Sequence, residues 1–483
     1  MEIIINENKK IVFRDSSALL PFSLKSITEN FGTDHKKGDW DHSKTKGYSR
    51  ALAEYCRLDC ISLYEALLKF YDWPVIKRSG QAYTIASQAM RVQRTFFKKD
   101  LYALPKFATK FARPSYLGGR TEIFRPICKG KIYEYDVNSL YPFIMRDNDF
   151  PSSRCYNVFD FNDNKLGIYS AIVKAPSDLH VPSLGVLFRG KYIFPQGEFS
   201  GNWTCAELKY AKTLGYKIKI IRGICFDKKE SLFKEFINKM YEIRKTSPKN
   251  SVSDIAAKLI MNASYGRYGL NPEKENISFT LKDGNKEFKD IKVNNKTIQL
   301  YKEPVELETF THVAIASFVT SYSRIYMHKL MSKIKPDNLY YTDTDSIWTT
   351  EKMETGPELG QLKLEGEYEG AVFLLPKTYM ATGFKNKIKM KGFDSKKIQD
   401  FTYQDFKNAL EGDISRLKII NAPKFATLKQ AVAQKKLVAM TKASTKQLKS
   451  KYDKRIIFKK SNELFTKPIT LKECKNGTND NEG

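Results

Sequence analysis

The chain has 483 residues, 82 Lys and Arg against 54 Asp and Glu, a formal net charge of +28 and seven Cys. At 41% hydrophobic and 13% aromatic it can bury a large core, which excludes global disorder, and at roughly 150 residues per domain the length suits about three domains. No apolar run approaches the ~20 residues of a membrane helix, and the opening MEIIINENKKIVFRDS has neither a signal-peptide core nor a transit-peptide composition, so neither a membrane span nor secretion is expected.

Residues 1–100 read as mixed α/β. Strand-like IIINENKKIVFRD comes first, then a helix pattern over 48–71 with Leu52, Tyr55, Leu63, Tyr64 and Leu67 near a 3.6 period. Cys56 and Cys60 lie one turn apart in it and are expected to be small buried residues. No CxxC pair occurs and the five His are scattered, so a zinc site or disulfide scaffold is not expected. Residues 107–126, broken by Pro114 and Gly118-Gly119, read as a loop or linker. Residues 131–139 (KIYEYDVNS) read as a strand ending in a turn or helix start.

Helices are predicted over 232–244 and 254–265, with a polar turn at 246–251 that contains Pro248. Residues 271–302 are polar and strand-like, with Asp283-Gly284 and Asn294-Asn295 as hairpin signals. A long amphipathic helix is predicted over 311–331, and 338–350 (NLYYTDTDSIWTT) reads as a hairpin with an acidic tip. From 385 to 483 there are 24 Lys and Arg against 10 Asp and Glu, a net of +14, half of the whole excess. A solubilising surface mixes signs evenly; this asymmetry favours a polyanion, with nucleic acid ahead of a membrane surface.

Three segments carry chemistry. Asp343 and Asp345 in YTDTDS stand two residues apart, and in a tight hairpin their carboxylates converge at the tip. Two such like charges call for a cation, and oxygen-only ligands suit Mg²⁺ or Mn²⁺. An exposed acidic turn is the other reading, against which stand the apolar flanks Leu339, Tyr340, Tyr341, Ile347 and Trp348. Asp136, at the end of the strand KIYEY, suits a third ligand of a two-metal site; taken alone it also suits a helix N-cap. In KLIMNASYG, Lys258, Asn262 and Tyr265 fall on one helical face, a cation, an amide and an aromatic that fit a nucleotide, or else a plain surface stripe. Arg244 and Lys245 on the preceding helix add charge for the same triphosphate.

In the order DxxSLYP, KxxxNxxYG and YxDTDS, the chain resembles the family B DNA polymerases. Motif A is Asp136-Val137-Asn138-Ser139-Leu140-Tyr141-Pro142, motif B spans 258–266 with Ala263 where the family usually has Ser, and motif C is Tyr341-Thr342-Asp343-Thr344-Asp345-Ser346. Tyr116-Leu117-Gly118-Gly119 looks like the YxGG motif of the protein-primed group, Lys377-Thr378-Tyr379 like its KxY motif, and Lys389-Met390-Lys391-Gly392 like a further basic segment near the thumb. Tyr55 and Asp59 fit the YxxxD exonuclease motif, while the DxE pair that should precede it is missing before Tyr55. The chain therefore looks truncated at its N-terminus, with most proofreading metal ligands gone.

The resemblance implies an α+β right-hand polymerase of palm, fingers and thumb, preceded by the remnant of a ribonuclease H-like 3′–5′ exonuclease domain. It divides the chain into that remnant (1–105), the start of the palm with the YxGG linker (106–146), a first insertion near a priming protein (147–230), fingers (231–270), a second insertion (271–306), palm (307–384) and thumb (385–483). It implies two Mg²⁺ ions (Mn²⁺ as substitute) on Asp136, Asp345 and the Val137 carbonyl, with Asp343 nearby. Lys258 and Arg244 or Lys245 would neutralise the triphosphate. Tyr141 would exclude a 2′-hydroxyl, Tyr265 would support the nascent pair, and Asn262 would bind the nucleotide. Tyr116, Gly118, Gly119, Lys377, Tyr379, Lys389 and Lys391 would contact DNA. The partners implied are a DNA template–primer, deoxynucleoside triphosphates and a terminal priming protein, with the chain a monomer. The organelle-rich membership of the group and an AT-rich coding signature suggest a mitochondrial gene, with phage or virus as the alternative. A non-catalytic DNA-binding remnant is the competing reading; a nuclease is a poorer one, because it leaves motif B without a role.

Overall fold

The structure is a computed structural model that describes residues 14–41, 47–271, 311–421, 444–448, 451–460 and 463–471, and the backbone of strands Glu2–Asn6, Lys9–Val12, Glu275–Thr280, Phe288–Val293 and Lys296–Pro304. Its centre is an antiparallel sheet of β1 (Thr121–Ile123), β2 (Ile132–Val137), β3 (Leu339–Asp343), β4 (Ser346–Thr349) and β5 (Leu362–Tyr368), in spatial order β5-β2-β4-β3-β1. The predicted acidic hairpin is β3–β4, and β2 pairs with β4 so that Asp136 lies opposite Ser346.

Helices α1 (Leu140–Asp147) and α4 (Val313–Met331) pack on this sheet, and α2 (Lys234–Thr246) and α3 (Val252–Asn262) pack in turn on α1. Because strand side chains alternate, Tyr133, Tyr135 and Val137 of β2 join Leu140 and Ile144 of α1 and Met327 and Met331 of α4 in one core. Glu134 turns to the opposite face, where it binds Lys387 at 2.6 Å. There Trp348 stacks on Tyr368 (5.2 Å) and Tyr341 on Phe373 (5.0 Å), beneath a second sheet of Lys387–Met390, Thr378–Thr382, Gly370–Leu375 and Ile127–Cys128. The inner strands of the central sheet are covered on both faces, whereas the edge strand β5 leaves Lys363, Leu364 and Glu365 exposed.

Several sequence expectations change. The helix predicted over 48–71 forms at Arg50–Tyr71, capped by Ser49, but buries Ser62, Ala66 and Phe70, and Tyr64 is exposed. Cys56 and Cys60 are exposed, not buried, because only that narrow stripe meets a neighbour. Residues 107–126 are not a plain loop: Lys106–Ala112 is helical, and Pro114 sits in the first turn of the 3-10 segment Arg113–Ser115, where a missing N–H costs nothing. Helix α4 is not amphipathic; from Val313 to Ser321 every residue is buried, because α1 and the segments Lys106–Ala112, Cys205–Thr213 and Gln196–Thr204 enclose it. Strands Glu275–Thr280, Phe288–Val293 and Lys296–Pro304 form a three-stranded antiparallel sheet, and the predicted turns Asp283-Gly284 and Asn294-Asn295 lie outside the described residues. Among the described residues no helix is long and apolar enough to cross a membrane.

The stretch 147–230 supplies four strands of a five-stranded sheet, completed by Thr470–Leu471, which lies parallel to Gln196–Thr204. Just before it in the chain, the hairpin Arg455–Lys460/Glu463–Pro468 docks on β1. The Thr466 amide donates to the Phe124 carbonyl at 3.1 Å, and the fully buried Arg455 and Glu122 approach to 3.4 Å. Arg120 donates to the same Glu122 at 2.7 Å. Removing either cation would leave a buried carboxylate short of its partner, which is strongly destabilising.

Candidate active site

The carboxylate tip is built by backbone. Thr344 adopts φ +67, its N–H donates to the Arg120 carbonyl at 2.7 Å, and the Asp345 N–H donates to the Asp343 carbonyl at 2.8 Å. The Val137 N–H donates to the Asp345 carbonyl at 2.9 Å, so motif A and motif C are stitched together directly. Ser139 is left-handed (φ 49) and leads into α1, but makes no side-chain cap bond. Asp136 is therefore not the N-cap of α1; it is the penultimate residue of β2 and lies within the electrostatic reach of Asp345. Left-handed non-glycine residues at Ser139 and Thr344 are strain of the kind that concentrates at functional sites.

Burial, and then the nearby Asp345, push the Asp136 carboxyl up to about 7. Asp345 is raised as well, first by burial and then by Asp343, against its own backbone N–H, Lys377 and Lys389. Asp343 is buried and already paired: Lys377 Nζ lies 3.0 Å away, Lys389 Nζ 3.9 Å, and the Thr121 hydroxyl donates at 3.2 Å. The three aspartates thus divide, with Asp343 held by lysines and Asp136 and Asp345 desolvated without an ion pair of their own among the described residues. Among the described residues no group of three or more His, Cys, Asp or Glu is drawn together as a metal cage. A pair of partly desolvated carboxylates, each raised towards its neutral form, is nevertheless a hard-oxygen donor set that a divalent cation fits.

Lys377 is itself left-handed (φ 61), and its N–H donates to the Tyr341 hydroxyl at 2.8 Å. Tyr379, expected to contact DNA, is buried among Tyr341, Trp348 and Phe373, with Lys389 over its ring at 5.9 Å. Its ring is core, so Lys377 and Lys389 are the groups this segment presents. The Lys391 N–H donates to the Lys377 carbonyl at 3.0 Å.

On the helical side, Tyr141 packs on Tyr265 with ring centroids 4.4 Å apart. Lys258 and Asn262 lie on α3, but the helix ends at Asn262, and Tyr265 reaches Tyr141 from the following turn, not from the same helical face. Arg244, Lys245, Lys249 and Lys258 line a cavity of about 480 Å³. Within it Arg244 donates to Asp254 at 3.1 Å, and Lys245 reaches out to Glu358 at 2.6 Å. A larger cavity, about 780 Å³, is lined by Arg91, Arg94, Lys98 and His312, away from the carboxylates.

The predicted linker residues prove to be structural neighbours of the site. Tyr116 packs against Gly269, where an added Cβ would lie 2.2 Å from its ring; burial, and then Tyr265, push its hydroxyl up to about 12. Gly119 faces Thr344 at the carboxylate tip, while Gly118 faces open space and its carbonyl accepts from the buried Arg324 at 3.1 Å. Sequence reasoning missed Arg324, Glu122, Arg455 and Glu358. The signal for Arg324 was available, a lone cation inside the apolar stretch SFVTSYSRIYMH. Tyr55 and Asp59 form a separate set on Arg50–Tyr71, where Lys37 Nζ donates to the Tyr55 hydroxyl at 2.6 Å and to Asp59 at 3.0 Å.

A family profile described as DNA polymerase type B, organellar and viral, matches residues 48–337. A probable DNA polymerase of Neurospora intermedia is 31% identical over 418 residues, covering 78% of this chain and 42% of that protein. The DNA polymerase of Bacillus phage phi29 is 26% identical over 449 residues, covering 84% of this chain and 73% of that protein. The chain spans about two fifths of the length of the relatives from Neurospora intermedia, Ascobolus immersus and Podospora anserina. Among solved structures, phi29 DNA polymerase superposes with a TM-score of 0.73 at 21% identity, covering 93% of this chain and 83% of that one. The shared fold is the right-hand polymerase fold.

Proposed function

We propose that this chain, which belongs to the organellar and viral type B DNA polymerases, catalyses template-directed deoxynucleotidyl transfer. The observation that carries the reading is the Val137–Asp345 backbone bond, which ties together the two segments that carry the desolvated carboxylates Asp136 and Asp345. Divalent cations bound to Asp136, Asp345 and the Val137 carbonyl would supply charge neutralisation at the α-phosphate.

The chain's own residues do the rest by positioning. Arg244, Lys245 and Lys258 receive the triphosphate. Asn262 binds the nucleotide, Tyr265 supports the nascent pair, and Tyr141, braced on Tyr265, closes the space where a 2′-hydroxyl would sit. Lys377, Lys389 and Lys391 hold the primer strand through phosphates, with Asp343 fixing the first two. Tyr116, Gly118 and Gly119 place the template beside the tip. The assignment of 1–105 as exonuclease-like, 106–146 and 307–384 as palm, 231–270 as fingers, 385–483 as thumb and 147–230 and 271–306 as priming-protein insertions is part of the same reading. The solved complex of phi29 DNA polymerase with primer–template DNA and incoming nucleotide supports DNA and deoxynucleotides as partners. Protein priming, a monomeric state and a mitochondrial or viral setting follow from the family resemblance. We propose no proofreading by this chain, since Asp59 is one carboxylate and Lys37 already binds it.

Primer extension by the purified chain with Mg²⁺ tests this. Incorporation should fall on the order of 10³-fold in Asp345→Ala, with duplex binding retained. Unchanged incorporation in that variant would sink the reading, and duplex binding with no incorporation by the unaltered chain would favour a DNA-binding remnant. Metal-dependent shortening of a 3′-labelled single strand would overturn the proofreading claim.

A further inference from the structure

Glu358 lies outside every motif discussed above, yet it joins the two halves of the site. It sits in the segment between β4 and β5, and that segment is folded around Asn138, two residues after Asp136. The Asn138 N–H donates to the Gln361 carbonyl at 2.9 Å, and the Asn138 carbonyl accepts from the Gly360 N–H at 2.9 Å. The Asn138 side-chain amide donates to the Gly356 carbonyl at 2.8 Å. Gly360 has φ +86, and an added Cβ there would lie 2.4 Å from the Phe143 ring, so the turn accepts only glycine. The Glu358 N–H is held in turn by Gln361 Oε1 at 2.9 Å. Its backbone is thereby fixed to motif A.

From this mount the Glu358 carboxylate reaches α2. One oxygen accepts from Lys245 Nζ at 2.6 Å, and the other from the Tyr241 hydroxyl at 3.1 Å. Lys245 is one of the cations around the cavity that receives the triphosphate, and it has a single charge to give. A lysine and a hydroxyl that hold two carboxylate oxygens are donors that two phosphate oxygens could equally accept from. Both partners are about half exposed, at 56% and 47%, so the pair is weak enough to exchange.

We propose that Glu358 is a stand-in acceptor for the triphosphate: it holds Lys245 before the nucleotide arrives and gives it up on binding. The incoming triphosphate displaces Glu358 from Lys245, and because Glu358 hangs from Asn138, the exchange is felt at the turn beside Asp136. This rests on the reading of Lys245 as a triphosphate contact.

The test uses the full chain on a primer–template ended with a dideoxynucleotide, with Mg²⁺ present, and measures the dissociation constant of the next complementary deoxynucleoside triphosphate. Glu358→Gln keeps every backbone bond of the turn and should tighten binding about two- to fivefold, the factor an exposed pair can supply. Lys245→Ala should weaken binding, and adding Glu358→Gln to it should change nothing further. Unchanged or weaker binding in Glu358→Gln, with Lys245→Ala weakened, overturns the stand-in and leaves the triphosphate reading intact. Tightening that persists without Lys245 also overturns it, since Glu358 would then act by repelling phosphate directly. Normal binding in Lys245→Ala removes both the reading of Lys245 and the stand-in.

Discussion

Gly119 stands directly against Thr344: a Cβ on Gly119 would lie 2.9 Å from the Thr344 Cα and 2.7 Å from its Cγ2. Thr344 is the left-handed residue between Asp343 and Asp345, so backbone displaced there moves both carboxylates. Gly119→Ala should therefore lower primer extension on the order of 10²-fold, the scale of an ångström of misplacement. Gly118→Ala, whose Cβ meets nothing within 4 Å, should stay within a few-fold. Comparing steady-state extension by the two variants checks the contact, and equal losses would refute it.

Asp136 gives a pH dependence with a definite sign. Its folded-state carboxyl is raised to about 7 from an ordinary 3.8, chiefly by burial. The folded state then binds the extra proton, so this group's contribution to stability falls as pH rises from about 4 to 7. In divalent-free buffer, Asp136→Asn should gain melting temperature relative to the unaltered chain across that window. A difference that stays flat with pH would show that Asp136 is not desolvated.

Tyr141 rests on Tyr265 at 4.4 Å, which fixes the ring that is proposed to exclude a 2′-hydroxyl. Tyr141→Val should raise ribonucleotide use relative to deoxynucleotide by at least about tenfold, or ~1.4 kcal/mol of lost discrimination, whereas Tyr141→Phe keeps the ring and the selectivity. Competition between the two nucleotide types measures this directly. Loss of discrimination in Tyr141→Phe would shift the role from the ring to the hydroxyl.

Lys389 is half exposed and anchored on Asp343. If it meets a phosphate, Lys389→Ala should weaken duplex binding alike on all sequences and reduce the slope of log affinity against log salt by about 0.9. A salt series by filter binding or anisotropy reads the slope. An unaltered slope would leave Lys389 as a partner of Asp343 alone.

Much of the site was legible because local chemistry and tertiary position agree. The flanks of the DTD turn are β-branched and aromatic, and Tyr341, Ile347 and Trp348 do become fully buried strand residues. The spacing of Lys258 and Asn262 placed both on one helix. What sequence hid were contacts between distant segments: Gly119 against Thr344, Asn138 around Gly360, and Tyr116 against Gly269. Exposure was also misjudged where a helix meets its neighbour along a narrow stripe, as with Cys56 and Cys60. Periodicity reports which face of an element is apolar, but not how much of that face another element covers.

The buried Arg455–Glu122 pair has a consequence for the making of the molecule. Its partners stand 333 residues apart in sequence, and Glu122 is on the strand that supports Asp343 through Thr121. Until Arg455 has left the ribosome, Glu122 lacks one of its two cations and β1 lacks the hairpin that covers it. Loop closure over that span is slow compared with local pairing. The central sheet thus gains this cover late although its first strand is made early, and a nascent chain stalled before residue 455 should leave β1 and the Asp343 turn open to protease.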